Sequence, residues 1–170
     1  VLPDDEKQAL LEKLQTTKTE TLGIFLNAIY PEEKNKKIQK LSDFKGRNVV
    51  LYFYPKADTP GCTRQACSIR DARQELAALG LAVVGISPDQ SARQKKFDDK
   101  YTLGFPLLSD EDRSVAKAYG VWGEKTFAGK TYLGVNRSTF VIGADGNVAK
   151  VMHDVKPASH ADDVLAALGS

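Results

Sequence analysis

The stretch "NVVLYFYPKADTPGCTRQACSIRDARQELAALGLAVVGIS", Asn48 to Ser87, reads as strand, loop, helix and strand, and it decides the fold. Its opening "NVVLYFY" is a continuous apolar run rich in β-formers, the mark of a strand buried on both faces. Pro55 stops it. From Thr63 onward, Ala66, Ile69, Ala72, Leu76 and Leu79 keep helical spacing, and Gly80 closes that helix at the C′ position. "LAVVGIS" (Leu81–Ser87) is a second buried strand, so the segment forms a parallel β–α–β unit.

The same signals extend outward. "DQSARQKKFDDKYTL" is a polar helix with Phe97 and Tyr101 four apart, "FPLLSD" a short strand, and "DEDRSVAKAYGV" another helix. A Gly-rich loop around Trp122 follows. "RSTFVIG", the turn "ADGN" and "VAKVMHD" form a hairpin with an Asp-Gly signal, and "SHADDVLAALG" ends the chain as a helix. Upstream, Pro3 to Gln15 carries acids in its first turn and Leu10, Leu11 and Leu14 at helical spacing, a helix start. "LGIFLNAIY", the turn "PEEKN" and "KIQKL" suggest a hairpin. This order predicts an α/β, thioredoxin-like fold: a mixed central β-sheet flanked by helices, with an N-terminal hairpin and an extra N-terminal helix. Residues 1–20 are read as a helical extension and 21–170 as one thioredoxin-like domain.

The bulk numbers exclude several function classes. With 170 residues, 42% hydrophobic and 27% charged, the chain has the composition of a globular domain with one sizeable core. A net charge of +2 argues for neither nucleic acid nor an anionic membrane. The densest basic run, "EEKNKKIQK" (Glu32–Lys40), is diluted by acids and has no aromatic residues on which bases would stack. No apolar run approaches the roughly 18 residues that span a bilayer. The start, "VLPDDEKQ", is acidic where a signal peptide is basic and then apolar. Two cysteines make no secreted disulfide framework and point to a reducing, cytoplasmic setting. A chain that begins at Val1 also fits an organellar stroma or matrix after removal of a transit peptide.

Both cysteines lie in the deciding stretch. Cys62 falls at the first turn of the helix, where the backbone amides and the helix dipole favour a thiolate, the nucleophilic form of the side chain. Thr59, three residues earlier, can set a hydroxyl beside the sulfur or beside an oxygen bound to it. Pro55 and Pro60 stiffen the loop, and Gly61 permits close approach to the backbone. The bland alternative for Cys62 is a small buried hydrophobe, against which stand the polar flanks Asp58, Thr59, Thr63 and Arg64. Cys67 comes five residues later, which in a helix means a rise of about 7.5 Å and a net turn of about 140°. The Cα atoms are then roughly 8–9 Å apart, beyond the roughly 7 Å reach of a disulfide. A bridge would need the first turn to unwind; without one, Cys67 is a residue of the helix core. Zinc bound by both cysteines with His153 and His160 is a third reading, for which the spacings are poor. The two histidines read better as surface or capping residues.

The segment "YPKADTPGCTRQACSIRD" closely resembles the active-site segment of the peroxiredoxins, specifically the peroxiredoxin Q or bacterioferritin comigratory protein group. Pro55, Thr59 and Cys62 match the family's Pro-x3-Thr-x2-Cys pattern. The likeness continues through "LSDFKGRNVVLYFYPK", "GISPD", "FPLLSDED" and "AYGVWGEKTFAGKTYLGVNRSTFVIGADG", from Leu41 to about His153. It departs at the family's opening Gly-x-x-Ala-Pro-x-Phe-x-Leu segment, of which "TLGIFLNAIY" keeps only a Phe-Leu.

The resemblance implies a thiol peroxidase acting on hydrogen peroxide and organic hydroperoxides. It makes Cys62 the peroxidatic cysteine and Cys67 its resolving partner in an intramolecular disulfide. Thr59 would hydrogen-bond peroxide and thiolate, Pro55 would wall the pocket, and Arg137 in "NRSTF" would be the guanidinium beside the sulfur. An always-charged planar donor suits that place, since it favours the thiolate and polarises the O–O bond. Thioredoxin, or in some members glutaredoxin, would be the reductant. The family implies a monomer and needs no metal or organic cofactor. A redox sensor using the same thiol chemistry and a non-catalytic thioredoxin-like binding module are the competing readings.

Overall fold

The computed structural model describes residues 26–29, 37–39, 48–143, 148–153 and 155–168. Two short strands, β1 (Leu26–Ile29) and β2 (Lys37–Gln39), pair antiparallel, the hairpin expected there; its turn and the helix expected over Pro3–Gln15 lie outside the described residues. Next come β3 (Asn48–Phe53), α1 (Pro60–Asp71), α2 (Arg73–Ala78), β4 (Leu81–Ser87), α3 (Ser91–Tyr101), β5 (Leu107–Ser109) and α4 (Ser114–Ala118). A ribbon of β6 (Trp122–Phe127) and β7 (Lys130–Val135) leads to β8 (Ser138–Ile142) and β9 (Val148–Met152). A 3-10 turn at Pro157–Ser159 opens α5 (His160–Leu168).

Seven of these strands form one sheet in the order β2-β1-β5-β4-β3-β8-β9. The three inner strands β3, β4 and β5 run parallel, while β1, β8 and β9 join antiparallel. This is the mixed sheet expected of a β–α–β core followed by a hairpin. Strand β3 lies between β4 and β8 and divides its side chains by the period of two. Val49, Leu51 and Phe53 face a cluster with Val115, Ala116, Tyr119 and Phe140. Val50, Tyr52 and Tyr54 face the other cluster, built from α1, α2, α3 and α5 and including Cys62, Ile69, Leu76, Phe97 and Val164. Burial on both faces explains why the sequence there is apolar without alternation.

Two expectations need correction. The helix read as one run to Leu79 is broken at Ala72, where φ −90° and ψ 6° interrupt it. The apolar face carries across the break, with Ala66, Ile69, Ala72 and Leu76 all buried, whereas Leu79 is the C-cap beyond the helix and is 52% exposed. The Gly-rich loop around Trp122 is instead the β6–β7 ribbon. Its two turn residues, Ala128 (φ 52°) and Gly129 (φ 78°), both take positive φ, the two-residue turn whose twist suits a tight hairpin. The glycines that suggested a loop serve the turn and the close crossing of Lys125 over Gly134.

Gly85 of β4 pairs with Tyr52 of β3 and Leu107 of β5. A Cβ at Gly85 would lie 3.0 Å from both the Tyr52 ring and the Leu107 side chain. That ring is wedged against Tyr54, Phe105 and His160 and has no room to retreat. Gly85→Ala should therefore cost about 1–3 kcal/mol through overpacking. Urea unfolding checks this: a lowered midpoint at unchanged slope is expected, and an unchanged midpoint would show that the aromatic cluster yields.

Candidate active site

Helix α1 begins where the sequence places a backbone break. Thr59 is the N-cap in extended conformation (φ −96°, ψ 156°) and Pro60 occupies the first helical position, where a missing N–H costs nothing. Cys62 is thus the third helical residue. The Thr63 amide already bonds the Thr59 carbonyl at 2.8 Å, whereas the amides of Gly61 and Cys62 have no acceptor within the helix. Cys62 therefore lies in the first turn, at the positive end of α1.

The loop ahead of this turn is held by side chains from the β4–α3 junction. Asp89 accepts the Ala57 amide at 2.7 Å, and Arg93 Nη2 donates to the Ala57 carbonyl at 2.9 Å. Asp89 and Arg93 are themselves paired at 3.2 Å. Ser87 donates to Asp89, Gln94 donates to Ser87 and to the Leu108 carbonyl, and Tyr54 donates to Gln94. Both polar groups of the Ala57 peptide are thus fixed by charged partners. Asp58 sits at φ 58°, tolerable for Asp; the Lys100 ammonium and the Tyr101 hydroxyl hold its carboxyl below the usual carboxylate range.

Arg137 arrives from the short connection between β7 and β8. The neighbouring Asn136 amide bonds the Val121 carbonyl at 2.7 Å, and the Arg137 carbonyl accepts from the Val155 amide at 3.2 Å. Its Nη1 donates to Cys62 Sγ at 3.4 Å and to Gln65 Oε1 at 2.5 Å. Cys62 is 1% exposed, so the guanidinium meets a largely desolvated sulfur, where a charge-assisted contact counts for more than in water. Gly61 earns its place here: a Cβ there would lie 3.2 Å from Arg137 Nη2. Lys125 is a second cation at this side, its Nζ donating to the Val135 carbonyl at 2.9 Å. Burial chiefly, and then Arg137, lower its pKa, while Cys62 acts in the opposite sense.

Cys62, Gly61 and Arg137 therefore meet. Thr59 stands at the same helix mouth, with its hydroxyl donated to the Lys56 carbonyl at 2.8 Å. Half-buried Pro55 follows the end of β3, and Cys67 is a free, half-buried thiol further along the same unbroken helix as free Cys62. Among the described residues no three His, Cys, Asp or Glu side chains gather as metal ligands would. No described helix is long and apolar enough to cross a membrane.

His160 corrects the reading as a surface or capping residue, because it is completely buried. Its Nδ1 lies 3.3 Å from Gln65 Nε2 and its Nε2 2.8 Å from Thr139 Oγ1. Arg137 has only donors, so Gln65 must turn its carbonyl toward it and its amide N–H toward His160. The Nδ1 atom is then an acceptor and the ring proton sits on Nε2, donated to Thr139. Gln65, Thr139, Asp89 and Gln94 were missed by sequence reading. The one available signal was a polar residue, Gln65, at a position that helical spacing places beside buried Ala66 and Ile69.

Burial first, with Arg137 adding to it against the pull of Asp163, pushes the His160 pKa from 6.5 down to about 4. Below pH 6.5 the unfolded chain takes up a proton that the folded chain refuses until about pH 4. Stability contributed by this site is thus intact above pH 6.5 and lost progressively down to pH 4, by about 3 kcal/mol in all. Urea titrations between pH 4 and 7.5 should show that slope in the native chain and a flatter one in His160→Asn. Equal slopes would overturn the assignment.

Comparison with known proteins places this geometry. The AhpC/TSA family pattern matches residues 8–151. Peroxiredoxin Bcp of Escherichia coli K12 is 49% identical over 135 residues, covering 79% of this chain and 86% of that protein. Peroxiredoxin Bcp of Bacillus subtilis is 44% identical over 129 residues, 76% of this chain and 82% of its own length. Among solved structures, a Xanthomonas campestris bacterioferritin comigratory protein studied for alkyl peroxide reduction superposes with a TM-score of 0.79 at 35% identity. That match covers 88% of this chain and 92% of the other. The chain belongs to the AhpC/TSA family, and within it to the peroxiredoxins, thiol peroxidases of the Bcp and Q group.

Proposed function

We propose that Cys62 is the peroxidatic thiol of this peroxidase and that Arg137 is its catalytic cation. The carrying observation is the 3.4 Å contact between Arg137 Nη1 and Cys62 Sγ at the first turn of α1. The Cys62 thiolate attacks one oxygen of hydrogen peroxide or an organic hydroperoxide. A S–O bond forms, the O–O bond breaks, and the leaving oxyanion takes a proton to depart as water or alcohol. Cys62 is left as a sulfenic acid. The guanidinium faces the oxygens as their charge develops, which is where a fixed cation lowers the barrier. Thr59 serves as a hydroxyl partner for the bound peroxide once its bond to Lys56 is exchanged, and Pro55 limits water at the sulfur.

Cys67 resolves the sulfenic acid. Its sulfur attacks Cys62, the S–O bond breaks, and hydroxide leaves as water with the thiol proton, giving the intramolecular disulfide. Both residues lie on one helix, so the first turn must unwind for their sulfurs to meet. A dithiol protein then reduces the bond by two exchange steps, itself becoming oxidised. Thioredoxin is the proposed reductant and glutaredoxin the alternative. No metal or organic cofactor enters this scheme. The reading is of a monomer in a reducing compartment such as the cytoplasm, which light scattering of the reduced and oxidised protein tests for the first point.

Turnover of hydrogen peroxide and cumene hydroperoxide with thioredoxin, its reductase and NADPH tests the whole assignment. Cys62→Ser should have no turnover. Cys67→Ser should oxidise once, hold a dimedone-reactive sulfenic acid and lose coupled turnover. Arg137→Ala should slow oxidation of Cys62 by about 100- to 1000-fold. Full turnover by Cys62→Ser would sink the enzyme reading in favour of a binding module. A free Cys67 in fully oxidised native protein would sink the two-cysteine scheme.

A further inference from the structure

The C-terminal turn and helix touch α1 along one face, between and beside the two cysteines. Pro157 lies 3.7 Å from where a Cβ would stand at Gly61. His160 Nδ1 meets the Gln65 amide at 3.3 Å, and the Ala161 N–H donates to Ser68 Oγ at 3.2 Å. Positions 61, 65 and 68 are one helical stripe. On its other side the His160 ring is bonded to Thr139, two residues after Arg137, and packs edge-on against Tyr52 at 5.2 Å. This buried imidazole thus links the helix that carries Cys62 with the strand that follows Arg137.

We propose that His160 is a positioning residue with opposite effects on the two chemical steps, holding Arg137 against Cys62 through Gln65 while keeping the helix between the cysteines wound. The inference rests on the peroxidase reading above. In the first step, His160 fixes the Gln65 amide, whose carbonyl then has one direction in which to hold the guanidinium. In the second step, the stretch of α1 between Cys62 and Cys67, which includes Gln65, must unwind before the two sulfurs can meet, and the Gln65–His160 contact opposes that. The part depends on the neutral ring, since a proton on Nδ1 would face the Gln65 N–H. The groups that bear on that ring are Asp163 from its own helix, held by Ser159 at 2.9 Å, Arg137 from the β7–β8 connection and the Tyr52 phenol from β3. Gln65 of α1 and Thr139 of β8 are uncharged.

Rapid-quench mass spectrometry separates the two steps. Oxidation of Cys62 by hydrogen peroxide is timed in the Cys67→Ser background, and disulfide formation in the chain with both cysteines. His160→Leu removes the acceptor, whereas the carbonyl of His160→Asn can stand in for Nδ1. His160→Leu should slow Cys62 oxidation by up to about 100-fold, the scale of a displaced catalytic group, and should speed disulfide formation severalfold. His160→Asn should recover most of the first rate. Should His160→Leu fold poorly by circular dichroism, Thr139→Val loosens the ring from its other side while leaving the Gln65–Arg137 bond in place, and should give the same pair of changes. Oxidation at the native rate in His160→Leu, equal slowing of both steps, or no rescue by Asn overturns the proposal while leaving the peroxidase intact. A Cys62 that peroxide does not oxidise in the native chain overturns both.

Discussion

The register between β3 and β8 is the constraint on which the site depends. Cys62 and Arg137 are 75 residues apart in the chain. They meet because Phe53, the last residue of β3, pairs with Ser138, the first of β8. The chain leaves β3 toward the cysteine at the same edge where Arg137 enters β8. A slip of one residue would send alternate side chains to the wrong face of a strand buried on both sides. Packing of Leu51 and Phe53 against Phe140, and of Tyr52 against His160, therefore fixes the placement of the guanidinium as firmly as any contact it makes itself.

The proposed disulfide adds a second requirement, a loop that stays still beside a helix end that would have to move. The Ala57 peptide is gripped at both its N–H and its carbonyl by Asp89 and Arg93, and Asp58 is tied to Lys100 and Tyr101. The anchors all come from the β4–α3 junction and α3, so the loop is referenced to the sheet and not to α1. The first turn of α1 can then open without loosening the chain that feeds it. Its own restraints come from other directions, from Arg137 and from the C-terminal segment. Separate anchoring of loop and helix lets one part be rigid and its neighbour labile within a few residues.

What the sequence disclosed follows from the range of the forces involved. The β–α–β core was legible because uninterrupted apolar runs and helical spacing are local signals, and the hairpin β8–β9 because turn chemistry is local. The break at Ala72 was not, since alanine is the best helix former and the apolar spacing from Ala66 to Leu76 runs straight through it; only the Ala72 backbone angles reveal it. The β6–β7 ribbon was hidden by glycines that read as loop until their backbone angles are known. At the site, Cys62 announced itself through its place after Pro60 and Gly61. Arg137 had only a family resemblance to distinguish it from a surface arginine at a strand start. His160 was misread because a histidine beside acids at a helix start looks solvated, and its burial is set by Tyr52 and Thr139, distant in the chain.

Cys62 also belongs to the apolar cluster formed by Val50, Tyr52, Ala66 and Ile69. In the proposed disulfide, drawing Cys62 out to meet Cys67 would remove a core side chain from that cluster and expose the ends of those packed around it. The packing energy lost would make that disulfide form less stable than the dithiol form by the same amount, a difference that would appear in the reduction potential of the pair. Each 1.4 kcal/mol of lost packing raises that potential by about 30 mV. On that reading, a well-filled core under the helix would make the oxidised protein a better electron acceptor and the reductant's task easier. Mutations in this cluster far from either sulfur would then shift the redox poise of the enzyme as well as its stability.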